Sequence, residues 1–342
     1  MSRYSNRKKR RMRKKKILGT ALVCILAVAV IGVFVYKNQK DQKLQKVTAG
    51  NSYNMGSGFR NIEYKGESYQ YNNRITTILY AGVDSVGEME ESEQYGNKAR
   101  ADTIALVVMD EKKEKMSILS INRDTMTDIR RYTMNGNDKG LYETHLGYAY
   151  SYGDGGEVSC ENLCEAVSLL MGGIPVNRYV VTNQDSMPYI NNLAGGITVT
   201  VPDSSLEAEY PELAMGETVT LDDSNIRAFL QYRDTEEAFS NESRMERQKT
   251  YLTAYIEKVK SMDQKQVEEV WNKLDDMKDN LQTNITKNQY LSLARFLKET
   301  DFSGESILQM EGENREGELH DEFYPDQEAL QEKIVELFYE KV

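Results

Sequence analysis

Residues 100–125, RADTIALVVMDEKKEKMSILSINRDT, contain two apolar runs, Thr103 to Met109 and Met116 to Ile121. The charged hexapeptide Asp110 to Lys115 separates them. Apolar runs of this length around a short polar segment are typical of a β-hairpin with a polar turn. The sequence therefore predicts two neighbouring antiparallel strands here.

Charged residues lie at both ends of this predicted hairpin. Arg100 and Asp102 precede the first strand, and Arg123 and Asp124 follow the second. Because the two ends of an antiparallel hairpin are neighbours, we expect these four side chains at one rim. They form either a functional site or a pair of surface salt bridges, which contribute little stability. The hairpin alone does not decide between the two.

The remaining apolar segments indicate a domain that mixes strands and helices. ITTILYAGVD, residues 75–84, is a continuous apolar run that ends in Asp84, as expected of a strand buried on both faces. Mixed strands and helices favour one domain of the α/β class. Residues 128–140 are loop-like. Further strands are predicted at 179–181, 197–201 and 307–310, and helices at 159–171 (with Ser159 as N-cap), 185–193, 224–232, 244–262, 264–281, 287–299 and 326–339.

The N-terminal region has the pattern of a membrane anchor. The first sixteen residues contain ten Lys or Arg and no acidic residue, and Ile17 to Tyr36 is a twenty-residue run without charge. A helix rising about 1.5 Å per residue would cross the hydrocarbon core over this length. A cleaved signal peptide is the alternative, but the bulky Val33 to Tyr36 run continues directly into Lys37 rather than into a small-residue cleavage site. The basic block predicts a cytoplasmic N-terminus.

These features divide the chain into four parts. We expect a cytoplasmic tail at 1–16, a transmembrane helix at 17–36, an extracellular stalk at 37–73 and a catalytic domain at 74–342. Within the last part, the core motifs span 75–250 and a helical part spans 251–342. Outside the first sixteen residues the chain has 33 basic and 54 acidic residues, a net charge of −21.

The cysteines and histidines indicate neither a zinc site nor a thiol nucleophile. Cys24 lies in the predicted span, and Cys160 and Cys164 lie on one apolar helical stripe. A disulfide within one helical turn has poor geometry, so buried thiols are expected, with the disulfide as the alternative. His145 and His320 are the only histidines.

Arginines and aspartates recur beside the apolar segments. Because the chain outside its first sixteen residues is strongly acidic, these arginines are not part of a generally basic surface. Guanidinium groups match phosphate oxygens, and Mg²⁺ prefers a few carboxylates together with water and phosphate, so the set indicates a pyrophosphate–metal site. The alternative is that the arginines pair with the abundant acids. The residues concerned are Asp84, Arg100, Asp102, Arg123, Asp124, Arg233, Asp234, Arg244, Arg247 and Gln248.

Several motifs resemble those of the LytR-CpsA-Psr family of the Gram-positive cell envelope. Their order and spacing match over residues 75–250, and the C-terminal tail and single-anchor topology are also similar. The motifs are GVD at 82–84, RADT at 100–103, SINRDT at 120–125, LGYAYSYGDGG at 146–156, LAGGITVTV at 193–201, YRD at 232–234 and RMERQ at 244–248.

This resemblance implies a fold, an activity and a site. The fold is a central mixed β-sheet flanked by helices. The activity is Mg²⁺-dependent transfer of a glycopolymer (teichoic acid, capsule or a related polysaccharide) from polyprenyl pyrophosphate to peptidoglycan. The partners are the lipid-linked glycan, peptidoglycan and membrane lipid. Asp84 and Asp102 would hold Mg²⁺, and Asp124 and Asp234 would support the site. The pyrophosphate would be bound by Arg100, Arg123, Gln231, Arg233, Arg244, Arg247 and Gln248, of which Arg100, Arg123, Arg233 and Arg247 are expected to act in catalysis together with Asp102.

Two positions depart from the family pattern. Gln231 stands where the family often has Arg, and a Gln can donate to phosphate without neutralising it. Asn122 stands where Pro is usual and is expected to loosen the turn. Gln231 therefore leaves a binding protein without turnover as an alternative. A polyprenyl-pyrophosphate phosphatase is a further alternative, because the same site could use water as the acceptor. Sixteen cytoplasmic residues are too few for a DNA-binding fold, and we expect no nucleic-acid partner.

Overall fold

The computed structural model describes residues 59–96, 99–232, 240–300, 302–317 and 321–342. The strands of this part of the chain are β1 (Asn61–Tyr64), β2 (Glu67–Tyr71), β3 (Ile75–Val83), β4 (Ala101–Asp110), β5 (Lys115–Ile121), β6 (Met126–Tyr132), β7 (Asp138–His145), β8 (Tyr179–Thr182), β9 (Ile197–Thr200), β10 (Thr218–Leu221), β11 (Leu281–Thr283), β12 (Ile307–Gln309), β13 (Gly312–Glu316), β14 (Asp321–Pro325) and β15 (Tyr339–Lys341). The helices are α1 (Tyr148–Ser151), α2 (Glu157–Leu170), α3 (Ser186–Leu193), α4 (Ile226–Gln231), α5 (Ser240–Ser261), α6 (Gln264–Lys273), α7 (Lys287–Glu299) and α8 (Gln327–Phe338).

Six strands form a central sheet in the order β11, β8, β3, β4, β5, β12. Strand β4 runs antiparallel to both β3 and β5. On either side of these three strands, β8 is parallel to β3 and β12 is parallel to β5. The predicted α/β class with a central mixed sheet is therefore confirmed. The predicted hairpin is β4–β5, and its turn is stabilised because Asp110 Oδ1 accepts the backbone N–H groups of Lys112 and Lys113 at 2.9 and 3.0 Å.

Helices cover both faces of the central sheet. Side chains alternate along a strand, so Tyr80 and Val107 face one apolar cluster with α3 to α7. Leu79 and Leu106 face the other cluster, with α1, α2 and α8. The continuous apolar runs of β3 and β4 follow from this three-layer arrangement, since both faces of each strand are buried.

Polar strands account for the main differences from the predicted elements. Residues 128–140 are not a loop: most of them lie in the hairpin β6–β7. The hairpin β13–β14 and strand β11 were likewise not predicted. Strands β7 and β13 in particular carry mostly exposed side chains, so they lack the apolar alternation that identifies a half-buried strand.

The start of α2 differs from the predicted cap. The helix begins at Glu157, and Ser159 lies inside it. The buried Asp154 takes the capping role, because its Oδ1 accepts the N–H groups of Gly156 at 2.7 Å and Ser159 at 3.2 Å. The Ser159 Oγ accepts instead from Gly155 N–H at 2.7 Å.

The end of the predicted stalk contains ordered strands. Strands β1 and β2 pair with each other, and β2 also pairs with β15 near the C-terminus. Tyr71 packs edge-on against Phe59 at 5.2 Å and Tyr339 at 6.0 Å between ring centroids. Residues 59–71 therefore belong to the folded unit. The predicted tail, transmembrane helix and stalk up to residue 58 lie outside the described residues.

Within the part of the chain that the structure describes, no helix has the length and apolar character needed to cross a membrane. The predicted span at 17–36 lies outside the described residues.

Candidate active site

The β-bulge at the start of β4 aims Asp102 away from the regular ladder. Gly82 pairs with Thr103 and Val83 with Ala101, so Asp102 is the extra residue on β4. A bulge of this kind bends the strand and redirects a side chain. The Asp102 side chain is 1% exposed.

Asp84 is fixed beside the same strand end by two hydrogen bonds to Arg100. The Asp84 N–H donates to the Arg100 carbonyl at 3.0 Å, and the Arg100 N–H donates to Asp84 Oδ1 at 2.7 Å. The structure therefore places the end of β3 directly against the start of β4. Burial is the main cause of the raised pKa of the Asp102 carboxyl, and the negative charge of Asp84 raises it further.

Asp102 joins the two ends of the hairpin. Arg123 Nη1 donates to Asp102 Oδ1, while Asp102 Oδ2 is buried and has no hydrogen-bond partner among the described residues. Burial raises the pKa of Asp102 to about 6, and the positive charges of Arg123 and Arg100 oppose this shift. A buried carboxylate oxygen without a donor is a suitable ligand for a cation.

The turn that carries Arg123 is closed by Asn122. The Asn122 Oδ1 accepts the Asp124 N–H at 3.0 Å, and its carbonyl accepts the Thr125 N–H at 3.0 Å. The Asn122 side chain thus supplies a local acceptor to this turn, and its effect relative to Pro stays a prediction. Arg123 Nε lies 3.6 Å from Asp124 Oδ1, so Asp124 contacts Arg123.

Arg100 is the exposed arginine of the group. Its guanidinium carbon lies 4.9 Å from the centre of the Tyr148 ring, and its Nη1 donates to the Tyr148 hydroxyl at 3.2 Å. The four charged residues at the hairpin ends are thus brought together as predicted, with Asp84 beside them.

A second group lies on α5, where Arg244, Arg247 and Gln248 are 5%, 0% and 3% exposed. Arg247 Nε donates to the Phe229 carbonyl at 2.8 Å, and its Nη2 to the Tyr232 carbonyl at 2.6 Å.

The third nitrogen of Arg247 and the amide of Gln248 also contact protein. Arg247 Nη1 donates to Asp203 Oδ1 at 3.1 Å and to the Ser205 hydroxyl. Gln248 Nε2 donates to the Leu230 carbonyl at 3.0 Å. In this conformation Arg247 and Gln248 bind the end of α4 and present no open donor face. Burial lowers the pKa of Arg247, and Asp203 opposes this shift.

The remaining predicted residues follow α4. Gln231 is its last residue and is half-buried. Arg233 and Asp234 lie outside the described residues, and the structure does not test their placement.

Two contact residues were not singled out in the sequence. Tyr148 lies within the LGYAYSYGDGG motif, but nothing in that motif pairs it with Arg100. Asp203 is separated from Arg247 by 44 positions, and no local pattern connects them.

The described residues contain neither a disulfide nor a metal-binding cluster of three or more side chains. No group of three or more His, Cys, Asp or Glu side chains in them could hold a metal ion. Cys160 and Cys164 are buried free thiols, and burial raises the pKa of both.

Comparison with known proteins identifies the family. The model of the LytR_cpsA_psr family matches residues 31–337. The chain belongs to the LytR_cpsA_psr family. The family match covers the central sheet, both helical layers and every described site residue.

Curated members of the LytR_cpsA_psr family are similar over most of the chain. The polyisoprenyl-teichoic acid–peptidoglycan teichoic acid transferase TagT of Bacillus subtilis is 24% identical, over 97% of this chain and 96% of that protein. The transferase TagV of the same organism, which carries the same activity in its name, is 26% identical over 83% of this chain and 67% of that protein.

Solved structures share the fold. B. subtilis TagV has a TM-score of 0.56 at 24% identity, covering 77% of this chain and 96% of that chain. TagT bound to LIIa-WTA has a TM-score of 0.55 at 24% identity, covering 78% of this chain and 90% of that chain.

Proposed function

We propose that this protein moves a glycopolymer from a polyprenyl pyrophosphate carrier to peptidoglycan. The names of the similar transferases support this activity. The observation that carries it within the molecule is the meeting of Asp84, Asp102, Arg100 and Arg123 at the ends of β3, β4 and β5. Carboxylates and guanidinium groups within one site are suited to a metal-bound diphosphate.

Asp84 and Asp102 would hold Mg²⁺. The fit rests on the buried Oδ2 of Asp102, which lacks a donor, and on the electrostatic interaction between the two carboxylates. Mg²⁺ often takes one or two carboxylates and completes its coordination with water and phosphate, so the absence of a larger cluster is compatible with it. When bound, the ion neutralises charge on the diphosphate oxygens.

The arginines bind and orient the diphosphate in this proposal. An acceptor hydroxyl oxygen loses its proton to solvent and bonds to the phosphorus that carries the glycan, and the bond from that phosphorus to the bridging oxygen breaks. Polyprenyl phosphate leaves with the additional negative charge. Arg100 and Arg123 lie where they would offset it, since phosphoryl transfer depends mainly on positioning and electrostatic stabilisation.

The α5 group has a divided role. We propose that Arg244, Gln231 and Arg233 contact the diphosphate, with Asp234 in support. Arg247 and Gln248 hold the end of α4, from which Gln231 and the following residues extend. Their contribution to catalysis is then positional.

The location proposed for the protein is the cell membrane. The uncharged run at 17–36 would cross it once, with the basic residues 1–16 in the cytoplasm and the catalytic domain outside.

The test is a transfer assay with the full-length protein in lipid nanodiscs. A lipid-pyrophosphate glycan, Mg²⁺ and peptidoglycan oligomers are the substrates. Glycan attached to peptidoglycan supports the proposal, and we expect Arg123→Ala to abolish it. Arg295→Ala, in an exposed pair with Glu299, is the control with unchanged rate.

Other outcomes identify other functions. Release of glycan phosphate without conjugate indicates a phosphatase. Tight binding without turnover, unchanged by Arg123→Ala, contradicts both enzymatic functions.

A further inference from the structure

Arg100 is exposed but is held by one aromatic side chain. Its guanidinium lies over the Tyr148 ring and donates to the Tyr148 hydroxyl at 3.2 Å. A cation over an aromatic face is attracted by the ring, and the hydroxyl adds a directional contact. A long, mobile side chain is thereby restricted to one side of the strand end.

The backbone beside Tyr148 is bonded to both hairpin ends. The Gly147 N–H donates to the Arg123 carbonyl at 2.8 Å, and the Gly147 carbonyl accepts the Ala101 N–H at 3.0 Å. A Cβ at Gly147 would lie 2.7 Å from the Ala101 carbonyl oxygen, so this close approach requires glycine. Tyr148 is therefore placed by the same strands that place Arg100 and Arg123.

The Tyr148 ring is supported in turn by His145. Their ring centroids are 5.6 Å apart in an edge-to-face arrangement with an interplanar angle of 79°. His145 Nε2 lies 3.1 Å from the Asp321 carbonyl oxygen, which can only accept, so Nε2 carries the proton in this contact.

Strand β14 also contacts the turn that follows Arg123. The Phe323 N–H donates to the Asp124 carbonyl at 2.8 Å, next to Arg123. Phe323 also forms a parallel bridge with Thr125. Strand β14 thus contacts the turn that carries Arg123. It also contacts His145, which packs against Tyr148, the residue that holds Arg100.

We propose that Tyr148 is a positioning residue for Arg100, and that β14 holds it in place through His145. The proposal rests on the proposed function only in assigning Arg100 to the diphosphate. It predicts that Tyr148 acts through Arg100 and not through general stability. Removal of the Tyr148 ring should therefore weaken the interaction of Arg100 with its ligand.

A double-mutant cycle in the full-length protein tests this. In the wild-type background we expect Tyr148→Leu to lower kcat/KM for transfer about fivefold, and Tyr148→Phe, which keeps the ring, about twofold. In the Arg100→Ala background we expect Tyr148→Leu to have no further effect, because the group through which it acts is gone. Equal losses in both backgrounds contradict the proposal.

His145→Gln tests the support of Tyr148. Gln retains an N–H donor for Asp321 but lacks the ring, so we expect a loss about half as large in logarithmic terms as that of Tyr148→Leu. The loss should vanish in the Tyr148→Leu background. Full additivity of the two variants would mean that His145 does not act through Tyr148.

A matched control and a second readout separate this proposal from the proposed function. The guanidinium carbon of Arg131 lies 4.0 Å from the centre of the Tyr142 ring, outside the site. Tyr142→Leu removes this similar contact and is expected to leave kcat/KM unchanged. If the wild type shows no transfer, the proposed function fails, and the same cycle is run on the Kd for geranylgeranyl pyrophosphate. If Tyr148→Leu weakens binding only when Arg100 is present, the positioning role is still supported. If Tyr148→Leu has the same effect on Kd with and without Arg100, the positioning role is contradicted.

Discussion

Arg123 Nη1 donates to Asp102 Oδ1 and so joins the two ends of the hairpin β4–β5. The Arg123 side chain is 23% exposed and that of Asp102 is 1% exposed. The pair therefore has a solvent-facing cation and a buried anion. One carboxylate oxygen is bonded to Arg123, and the other is buried without a donor. This asymmetry makes Asp102 sensitive to pH and to cations.

Stability should depend on the ionisation of Asp102. Burial raises its pKa to about 6 from a usual value of 3.8, so the folded state holds the proton more tightly than the unfolded state. The contribution of the protonated form is fully present below about pH 4 and is lost as the pH rises through about 6. We expect the wild type to lose about 3 kcal/mol from this group over that range.

Asp102→Asn should remove this dependence. Urea unfolding of the full-length protein in detergent and EDTA, followed by fluorescence of Trp271, would give both stability curves from pH 4 to 8. Trp271 packs against Tyr290 at 4.9 Å and is the single tryptophan. Parallel curves for the two proteins would contradict the assigned pKa shift.

Mg²⁺ should stabilise the folded protein above pH 7. A cation that binds only the native state adds about 1.4 kcal/mol at ten times its Kd. We expect the increase in the wild type and its loss in Asp84→Asn and Asp102→Asn. Glu299→Gln, on the exposed face of α7, is the control that keeps it. An equal increase in all four proteins would show that Mg²⁺ acts elsewhere.

Arg247 should be necessary for stability. Arg247→Met removes the donors to the end of α4 and leaves Asp203 without this partner, and we expect a loss of about 3 kcal/mol. Arg295→Ala, in an exposed pair with Glu299, should change stability by less than about 0.5 kcal/mol. The comparison uses urea midpoints at pH 7.5. A small effect of Arg247→Met would mean that its buried contacts are replaced by water.

Cys160 and Cys164 should be unreactive in the folded protein. Burial raises the pKa of both thiols, and the thiolate is the reactive form. In a Cys24→Ser background we expect negligible reaction with an aromatic disulfide reagent under native conditions and two reactive thiols in denaturant. Rapid native labelling, or fewer than two thiols after unfolding, would contradict the buried free thiols.

Local sequence was sufficient to predict the strands that consist of consecutive apolar residues. Strands β3, β4 and β5 each bury consecutive apolar side chains, so their composition identifies them without a partner. The predicted hairpin placed Asp102 and Arg123 at neighbouring strand ends, and the apolar run 75–84 placed Asp84 at the end of its own strand.

The polar strands could not be predicted in the same way. β7 and β13 are mostly exposed, and only pairing with β6 and β14 makes them strands. Their hydrogen-bond partners, not their side chains, determine their structure.

The sequence by itself determined the α/β class, the hairpin and the charged residues at its ends, because these follow from local runs of apolar and charged residues. Only the tertiary structure decided that Asp102 sits in a bulge, that Arg247 is enclosed and that His145 contacts β14. The contacts of Arg247 with Asp203 and of His145 with Asp321 span 44 and 176 positions. Such contacts depend on how distant segments pack, and no local pattern of residue types encodes them.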